Sequence, residues 1–306
     1  MDMVRLVKRL TRERKVGHGG TLDPVADGVL PICLGQATRM MDHLIESTKL
    51  YRTQVVLGVA TDTFDTAGTI VRTKDPSGVT LPTIEKVLET FRGHIDQVPP
   101  MYSALKQSGT RLYKLARAGV DIPRAARPVQ VLSLDIKDWK PPIVTLEVEC
   151  GRGVYIRALA HDLGEALGCG AHLKSLTRLR TGPFSLEESI SPKKLEEIVT
   201  SGSWQQLVHP PDFVVGHLRA AVVGAPTVAH LKQGRQVALG PLGRTVAMHQ
   251  ERCRIYTTAG CFLAIAQYDR SQGLWRPERV FKLDQPTFEE RSALEETVGS
   301  LKTTKA

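Results

Sequence analysis

Asp23 closes a glycine-rich loop, Gly17-His18-Gly19-Gly20-Thr21-Leu22-Asp23-Pro24, that runs on through Ala26 and Gly28 into Val29 and Leu30. Glycines let a backbone approach another molecule closely and take positive φ. The chain carries a formal net charge of +9, which attracts phosphate-rich partners. One acid after such a loop in a basic chain points to a carboxylate brought close to a polyanion. Asp-Pro also favours plain turns, so the loop by itself leaves a structural use open. Two other residue types could share its chemistry. Tyr51 opens a strand-like run, and Arg157 follows the Gly151-x-Gly153 break at the head of a helical pattern.

Several standard sites are excluded. The loop lacks the Gly-Lys-Ser/Thr ending of a P-loop and the glycine spacing of a dinucleotide fold. No Gly-x-Ser-x-Gly elbow occurs. The histidines do not pair with cysteines at metal-ligand spacing. The five cysteines are scattered with no C-x-x-C, which argues for a reducing compartment and against a disulfide frame. No apolar run reaches the roughly 18 residues of a membrane span. The expectation is a cytoplasmic protein without a structural zinc.

The elements that must position these residues follow from pattern. Val4, Leu6, Val7 and Leu10 recur at helical spacing between Arg5, Lys8 and Arg9, with Arg12, Arg14 and Lys15 after them, predicting a basic amphipathic helix. Tyr51–Val59 reads as a strand, Thr61–Gly68 as a turn ordered by Asp62 and Asp65, and Thr69–Arg72 as a returning strand. Pro82–Arg92 reads as a helix with Thr83 as N-cap, and Arg111–Ala118 as another. Ile143–Cys150 alternates, with Val144, Leu146, Val148 and Cys150 toward a core. Tyr155–Leu167 reads as a helix that places Arg157 and His161 on one face. A linker is expected near 200–212. Short runs at Thr245–Met248, Arg254–Thr257 and Cys261–Tyr268 then predict a small β domain.

Taken together, the motifs resemble the TruB family of RNA pseudouridine synthases. The glycine loop with Asp23 looks like the family's catalytic motif. Lys49-Leu50-Tyr51 with Leu57-Gly58 looks like its tyrosine strand. Val98-Pro99-Pro100-Met101-Tyr102-Ser103-Ala104-Leu105-Lys106 matches a further signature. Gly151-x-Gly153-Val154-Tyr155-Ile156-Arg157, Ala171-His172-Leu173 and Leu176-x-Arg178 match the late motifs. The resemblance is strong over about residues 4–212.

The resemblance implies an α+β pseudouridine synthase fold with a central mixed, mostly antiparallel sheet and a small C-terminal β-barrel of PUA-like type. It implies a catalytic domain at 1–212 with an RNA-binding insert about 102–140, a PUA-like domain at 213–285 and a polar tail at 286–306. The implied reaction converts uridine to pseudouridine in tRNA, at position 55 of the T-loop, without cofactor or metal. Asp23, Tyr51 and Arg157 are the implied catalytic residues. Asp23 would act as nucleophile, stabiliser of a cationic sugar or base. Arg157 would keep it ionised and oriented. Tyr51 would stack on the extruded base or take the C5 proton. His18, Gly19, Gly20, Thr21, Tyr155, Leu176 and Lys106 are implied to bind substrate, with His18 helping to open the RNA loop and Arg111 and Lys114 extending a basic track from Lys106.

The family pattern opens on a strand and turn bearing Lys-Pro-x-Gly-x-Thr-Ser. This sequence starts inside the helix that follows, so an upstream strand is expected to be missing. A monomer without an obligatory protein partner is expected. Two rival readings stand beside the enzyme: a non-catalytic protein that binds or remodels tRNA, and a synthase that works with a guide RNA.

Overall fold

The computed structural model describes residues 3–287 except 104, 108, 121, 203, 241–246 and 284, with backbone alone at 106, 107, 117 and 201. The chain forms two compact units. The first holds His18–Ile32 and Asp42–Pro192. The second gathers the residues up to Gly17, Cys33–Met41, and those from Lys193 on.

A seven-stranded sheet organises the first unit. Its strands are β1 (Ala26–Gly28), β2 (Lys49–Leu57), β3 (Gly93–Gln97), β4 (Arg127–Lys140), β5 (Ile143–Cys150), β6 (Ala171–Thr181) and β7 (Phe184–Ser185). They lie in the order β7-β6-β2-β5-β4-β3, and β1 pairs with β6. Only the β1–β6 pairing in this sheet is parallel. The sheet is therefore mixed and mostly antiparallel, as expected.

The alternation read in Ile143–Cys150 holds residue by residue. Val144, Leu146, Val148 and Cys150 are buried, and the residues between them are half-buried. On that second face Glu147 takes Arg52 and Lys137. Two helices cover the apolar face: α1 (Leu81–Glu89) and α2 (Ile156–Ala166). From α2, Ile156, Leu159 and Leu163 join Val55, Leu57, Leu146 and Leu173 in one core. Each such side chain contributes about 1.5–3 kcal/mol by leaving water. At Gly164 an added Cβ would meet Ala171 N at 2.1 Å, so the helix lies against the start of β6.

Local details depart from expectation. The N-cap of α1 is Thr80, whose Oγ1 accepts from Thr83 N at 3.4 Å. Thr83 sits in the first turn instead, its hydroxyl 2.9 Å from that of Thr80. Within the segment 102–140, where an RNA-binding insert is expected, residues 127–140 form β4, paired to β5 and β3. Two-residue strands at Lys106–Gln107 and Thr110–Arg111 and the helix Leu112–Arg117 precede it.

Burial, with help from Glu165, pushes the carboxyl of Asp162 on α2 up to about 6. Its folded pKa thus lies above the unfolded value of about 3.9. The protonated acid favours the fold, so its contribution is full below pH 4 and is lost as the pH rises through 6. Asp162→Asn is therefore expected to raise the melting temperature at pH 8 and to leave it unchanged at pH 4. Thermal melts across that range check it.

The second unit contains the basic helix Met3–Thr11, which buries Leu6 and Val7 and exposes Arg5, Lys8 and Arg9. Its sheet runs β8 (Arg219–Val223), β9 (Arg252–Thr257), β10 (Phe262–Asp269) and β11 (Leu274–Val280) in that order. The β8–β9 pair is parallel, with helix α3 (Ala225–Lys232) in the crossover. The runs expected at 254–257 and 261–268 fall on β9 and β10. The strand expected at 245–248 lies half outside the described residues, as does nearly all of the tail at 286–306. Met40 is fully buried with Val215, Tyr256, Phe262 and Phe281. That contact joins Cys33–Met41 to the second unit, a grouping that a single cut at 212 does not describe. Among the described residues no helix is long and apolar enough to cross a membrane.

Candidate active site

The loop that carries Asp23 is held from below by one side chain. Arg178 on β6 is 1% exposed. Its Nε donates to Val29 O at 2.7 Å, Nη2 to Gly20 O at 3.1 Å and Nη1 to Thr21 O at 3.4 Å. Its own carbonyl accepts from Val29 N at 2.9 Å. A guanidinium offers five donors in a fixed plane, so one residue ties both ends of the loop to the sheet. Gly28 makes the fit possible. It has φ +101°, and a Cβ there would meet the Arg178 carbonyl oxygen at 2.3 Å. Gly19 donates to Pro31 O at 2.9 Å and leaves room for Leu44, which a Cβ would meet at 2.5 Å. Thr21 thus serves through its backbone.

Asp23 is gripped by Arg157 in a bidentate pair. Nε donates to Oδ2 at 2.7 Å and Nη2 to Oδ1 at 3.0 Å. Arg157 is 3% exposed, whereas Asp23 is 30% exposed. The cation is sealed in and the anion keeps an open face. Arg157 also donates to Tyr102 O at 2.9 Å and Thr63 O at 3.3 Å. A second carboxylate, Asp65, stands 3.5 Å from its Nη1 and is 6% exposed. Asp65 Oδ1 accepts from Thr63 Oγ1 at 2.6 Å and Ala67 N at 3.0 Å. It orders its turn, as expected, and also braces Arg157, which the sequence reading missed.

Tyr51 and Tyr155 complete the cluster. Burial pushes the Tyr51 phenol up, the Arg178 guanidinium pulls it back, and the charge of Asp23 adds a smaller upward push. Burial likewise raises Tyr155, with Asp23 again pushing up and Arg157 down. Both phenols therefore feel the Asp23 carboxylate and are neutral at pH 7. Gln97 fixes Tyr155 through a reciprocal pair, Tyr155 N to Oε1 at 2.8 Å and Nε2 to Tyr155 O at 3.1 Å. That clamp sets the start of α2 two residues before Arg157. Leu176 is buried in the core opposite Ala26, where the loop joins the sheet.

A third buried cation, Lys49, stands two residues before Tyr51 on β2. Lys49 Nζ donates to the carbonyls of Leu44, Ile45 and Ser47 at 2.6–2.9 Å. Burial and repulsion from Arg178 lower its ammonium to about 8. His18 is half-buried on the short strand Val16–His18, and its Nδ1 has no hydrogen-bond partner among the described residues. The side chain of Lys106 lies outside the described residues. Of the expected site, the structure brings together Asp23 on the loop, Tyr51 on β2, and Arg157 and Tyr155 at the start of α2. Arg178 was legible only as part of a motif, because its partners are backbone carbonyls.

The chain matches the TruB family pseudouridylate synthase N-terminal domain over residues 8–156. It matches the tRNA pseudouridylate synthase B C-terminal domain over 157–215. The Asp23–Arg157 pair thus joins the two matched segments. The tRNA pseudouridine synthase B of Dehalococcoides mccartyi is 38% identical over 285 residues, 93% of each protein. That of Geobacter sulfurreducens is 43% identical over 233 residues, 76% of this chain and 77% of its own. Among solved structures, a chain in the crystal structure of a Cbf5-Nop10-Gar1 complex superposes with a TM-score of 0.68 at 26% identity, over 94% of this chain and 81% of that one. One in an H/ACA RNP bound to a substrate RNA containing 2'-deoxyuridine has the same fold, with a TM-score of 0.67 at 24% identity over 94% and 83%. With the sheet, the braced carboxylate and these matches in agreement, this chain belongs to the TruB family of pseudouridylate synthases.

Proposed function

We propose that this protein isomerises uridine to pseudouridine in tRNA, at position 55 of the T-loop, with Asp23 as the catalytic carboxylate. The observation that carries this reading is the asymmetry of the ion pair: a sealed Arg157 holds both oxygens of an acid that stays open on one side. Such an acid is oriented and reachable. The isomerisation breaks the N1–C1′ bond, turns the base and forms C5–C1′, while the proton on C5 is exchanged for one on N1. Atoms and electrons balance within the nucleotide. The carboxylate acts at the sugar, where positive charge develops or a bond to Asp23 forms.

The target uridine must leave its stack, at a cost of a few kcal/mol. A stacking partner returns about 1–3 kcal/mol, and Tyr51 supplies that flat surface. As a neutral phenol it starts as a platform. The guanidinium of Arg178 against its oxygen stabilises negative charge there if it takes the C5 proton. His18 fills the space the base vacates. Tyr155 and Leu176 flank the pocket, and the backbone of Gly19, Gly20 and Thr21 lies along the nucleotide.

RNA attraction comes from charge. Arg5, Lys8 and Arg9 stand on one face of the helix Met3–Thr11, with Arg12 just beyond its end, and all four are exposed. They recur at i, i+3, i+4 and i+7, a span of roughly 10 Å at 1.5 Å per residue. The Arg9–Glu196 pair is exposed at both ends and contributes little. We assign phosphate contacts to this stripe and to Lys106, Arg111 and Lys114. The sheet β8–β11 serves as a second RNA-gripping module that closes into a PUA-like barrel.

Incubation of the purified protein with an unmodified tRNA transcript tests the reading. Pseudouridine is expected at position 55 without added guide RNA. Product only with a guide would favour the guide-dependent reading. Binding with no product under any condition would favour a non-catalytic RNA-binding role.

A further inference from the structure

Phe64 stacks on His161, ring centroids 3.9 Å apart and planes 13° from parallel. Phe64 has φ +65°, a left-handed conformation that is uncommon for a bulky side chain and is retained only where surroundings impose it. The surroundings are on both sides. Its N donates to Thr61 O at 3.3 Å, and its O accepts from Leu173 N at 2.9 Å on β6.

The neighbours of Phe64 explain why that conformation matters. Thr63 gives its carbonyl to Arg157, and Asp65 gives its carboxylate. The left-handed residue between them reverses the chain so that both groups face the guanidinium while the ring of Phe64 faces α2. His161 stands four residues beyond Arg157, one helical turn along the same face. The turn therefore touches α2 twice, through polar groups at Arg157 and through an aromatic stack at His161. The Leu173 N–Phe64 O bond and the Asp65–Leu173 bridge tie the turn to β6, and the stack adds an apolar tie to α2. Burial keeps the His161 imidazolium below its ordinary range, so a neutral ring meets Phe64.

We propose that Phe64 and His161 are positioning residues: their stack locks the Thr61–Gly68 turn onto α2 and so fixes the guanidinium of Arg157 against Asp23. The proposal rests on the reading of Asp23 and Arg157 as catalytic groups. Neither ring touches substrate. Their effect appears in the rate at saturating tRNA and not in tRNA affinity.

The test compares Phe64→Gly, His161→Ala, His161→Phe and the Phe64→Gly/His161→Ala double variant, with single-turnover pseudouridine formation and tRNA binding measured on each. Gly keeps the left-handed backbone and deletes only the ring. Phe64→Gly and His161→Ala are expected to lower the saturated rate about 10- to 100-fold, the scale of a misplacement near 1 Å, with tRNA Kd within twofold of the parent. His161→Phe restores a stack and should recover most of the rate. The double variant should be no slower than the slower single one, because both delete one interaction. Wild-type rates in both single variants would overturn the proposal. So would additive losses in the double variant, or a His161→Phe enzyme as slow as His161→Ala. Should Phe64→Gly fail to fold by circular dichroism, the His161→Ala and His161→Phe pair decides alone. Asp23→Asn, run in parallel, separates the two levels. Full activity in Asp23→Asn removes the underlying reading, whereas its inactivity beside an unaffected Phe64→Gly removes only this inference.

Discussion

Asp23→Asn is expected to lower the rate of pseudouridine formation by about 10³- to 10⁴-fold, the upper range for loss of a positioned acid–base group, while tRNA affinity changes less than threefold. Asn has nearly the shape of Asp, and its Oδ1 can still accept from Arg157. What it lacks is charge. It can neither form a bond to C1′ as a carboxylate does nor stabilise a cationic sugar. Arg157 keeps Asp65 as a counter-ion, so the variant should fold. Single-turnover assays beside filter binding separate the two effects. A fall in affinity equal to the fall in rate would mean that Asp23 holds RNA and does no chemistry.

Arg157→Met is expected to cost stability as well as rate. It removes the bidentate pair, the contact with Asp65 and two carbonyl bonds in one step. Asp65 would then be a carboxylate at 6% exposure that keeps, among the described residues, Thr63 and Ala67 as partners. Breaking a buried pair from one side costs about 3–5 kcal/mol, a large part of a typical total stability. The melting temperature should fall by roughly 10 °C, and the rate should fall with it because nothing orients Asp23. Arg157→Lys tests geometry against charge. A lysine restores the cation without the planar fork. It should recover part of the melting temperature and little of the rate. Equal recovery of both would show that charge alone suffices.

The residues differ in how far their roles could be read before the fold was known. Val144, Leu146, Val148 and Cys150 announced their strand because alternation is local. Asp23 and Arg157 are 134 residues apart, and no periodicity joins them; only the ordered motifs did. Arg178 hid its role by bonding to carbonyls, which every residue has. Asp65 looked like a turn residue because it is one, and its bond to Arg157 adds a long-range use to a local one. Thr80 and Thr83 are equally good caps by type, and only the path of the chain chose between them. The parallel β8–β9 pair needs a crossover through α3, which short apolar runs do not disclose. The place of Met40 among Val215, Tyr256 and Phe262 depends on contacts across most of the chain. Local chemistry was legible, and long-range closure was not.

On the proposed reading, the open face of Asp23 meets the sugar of an extruded uridine. A structure of the Asp23→Asn variant bound to an unmodified tRNA tests it most directly. The target ribose C1′ is expected within about 3.5 Å of the Asn side chain, the distance of a near-attack arrangement, with the uracil lying on Tyr51 and Arg157 still in place. A uridine left stacked in the RNA, or a base flipped into a pocket that Asp23 does not border, would contradict it.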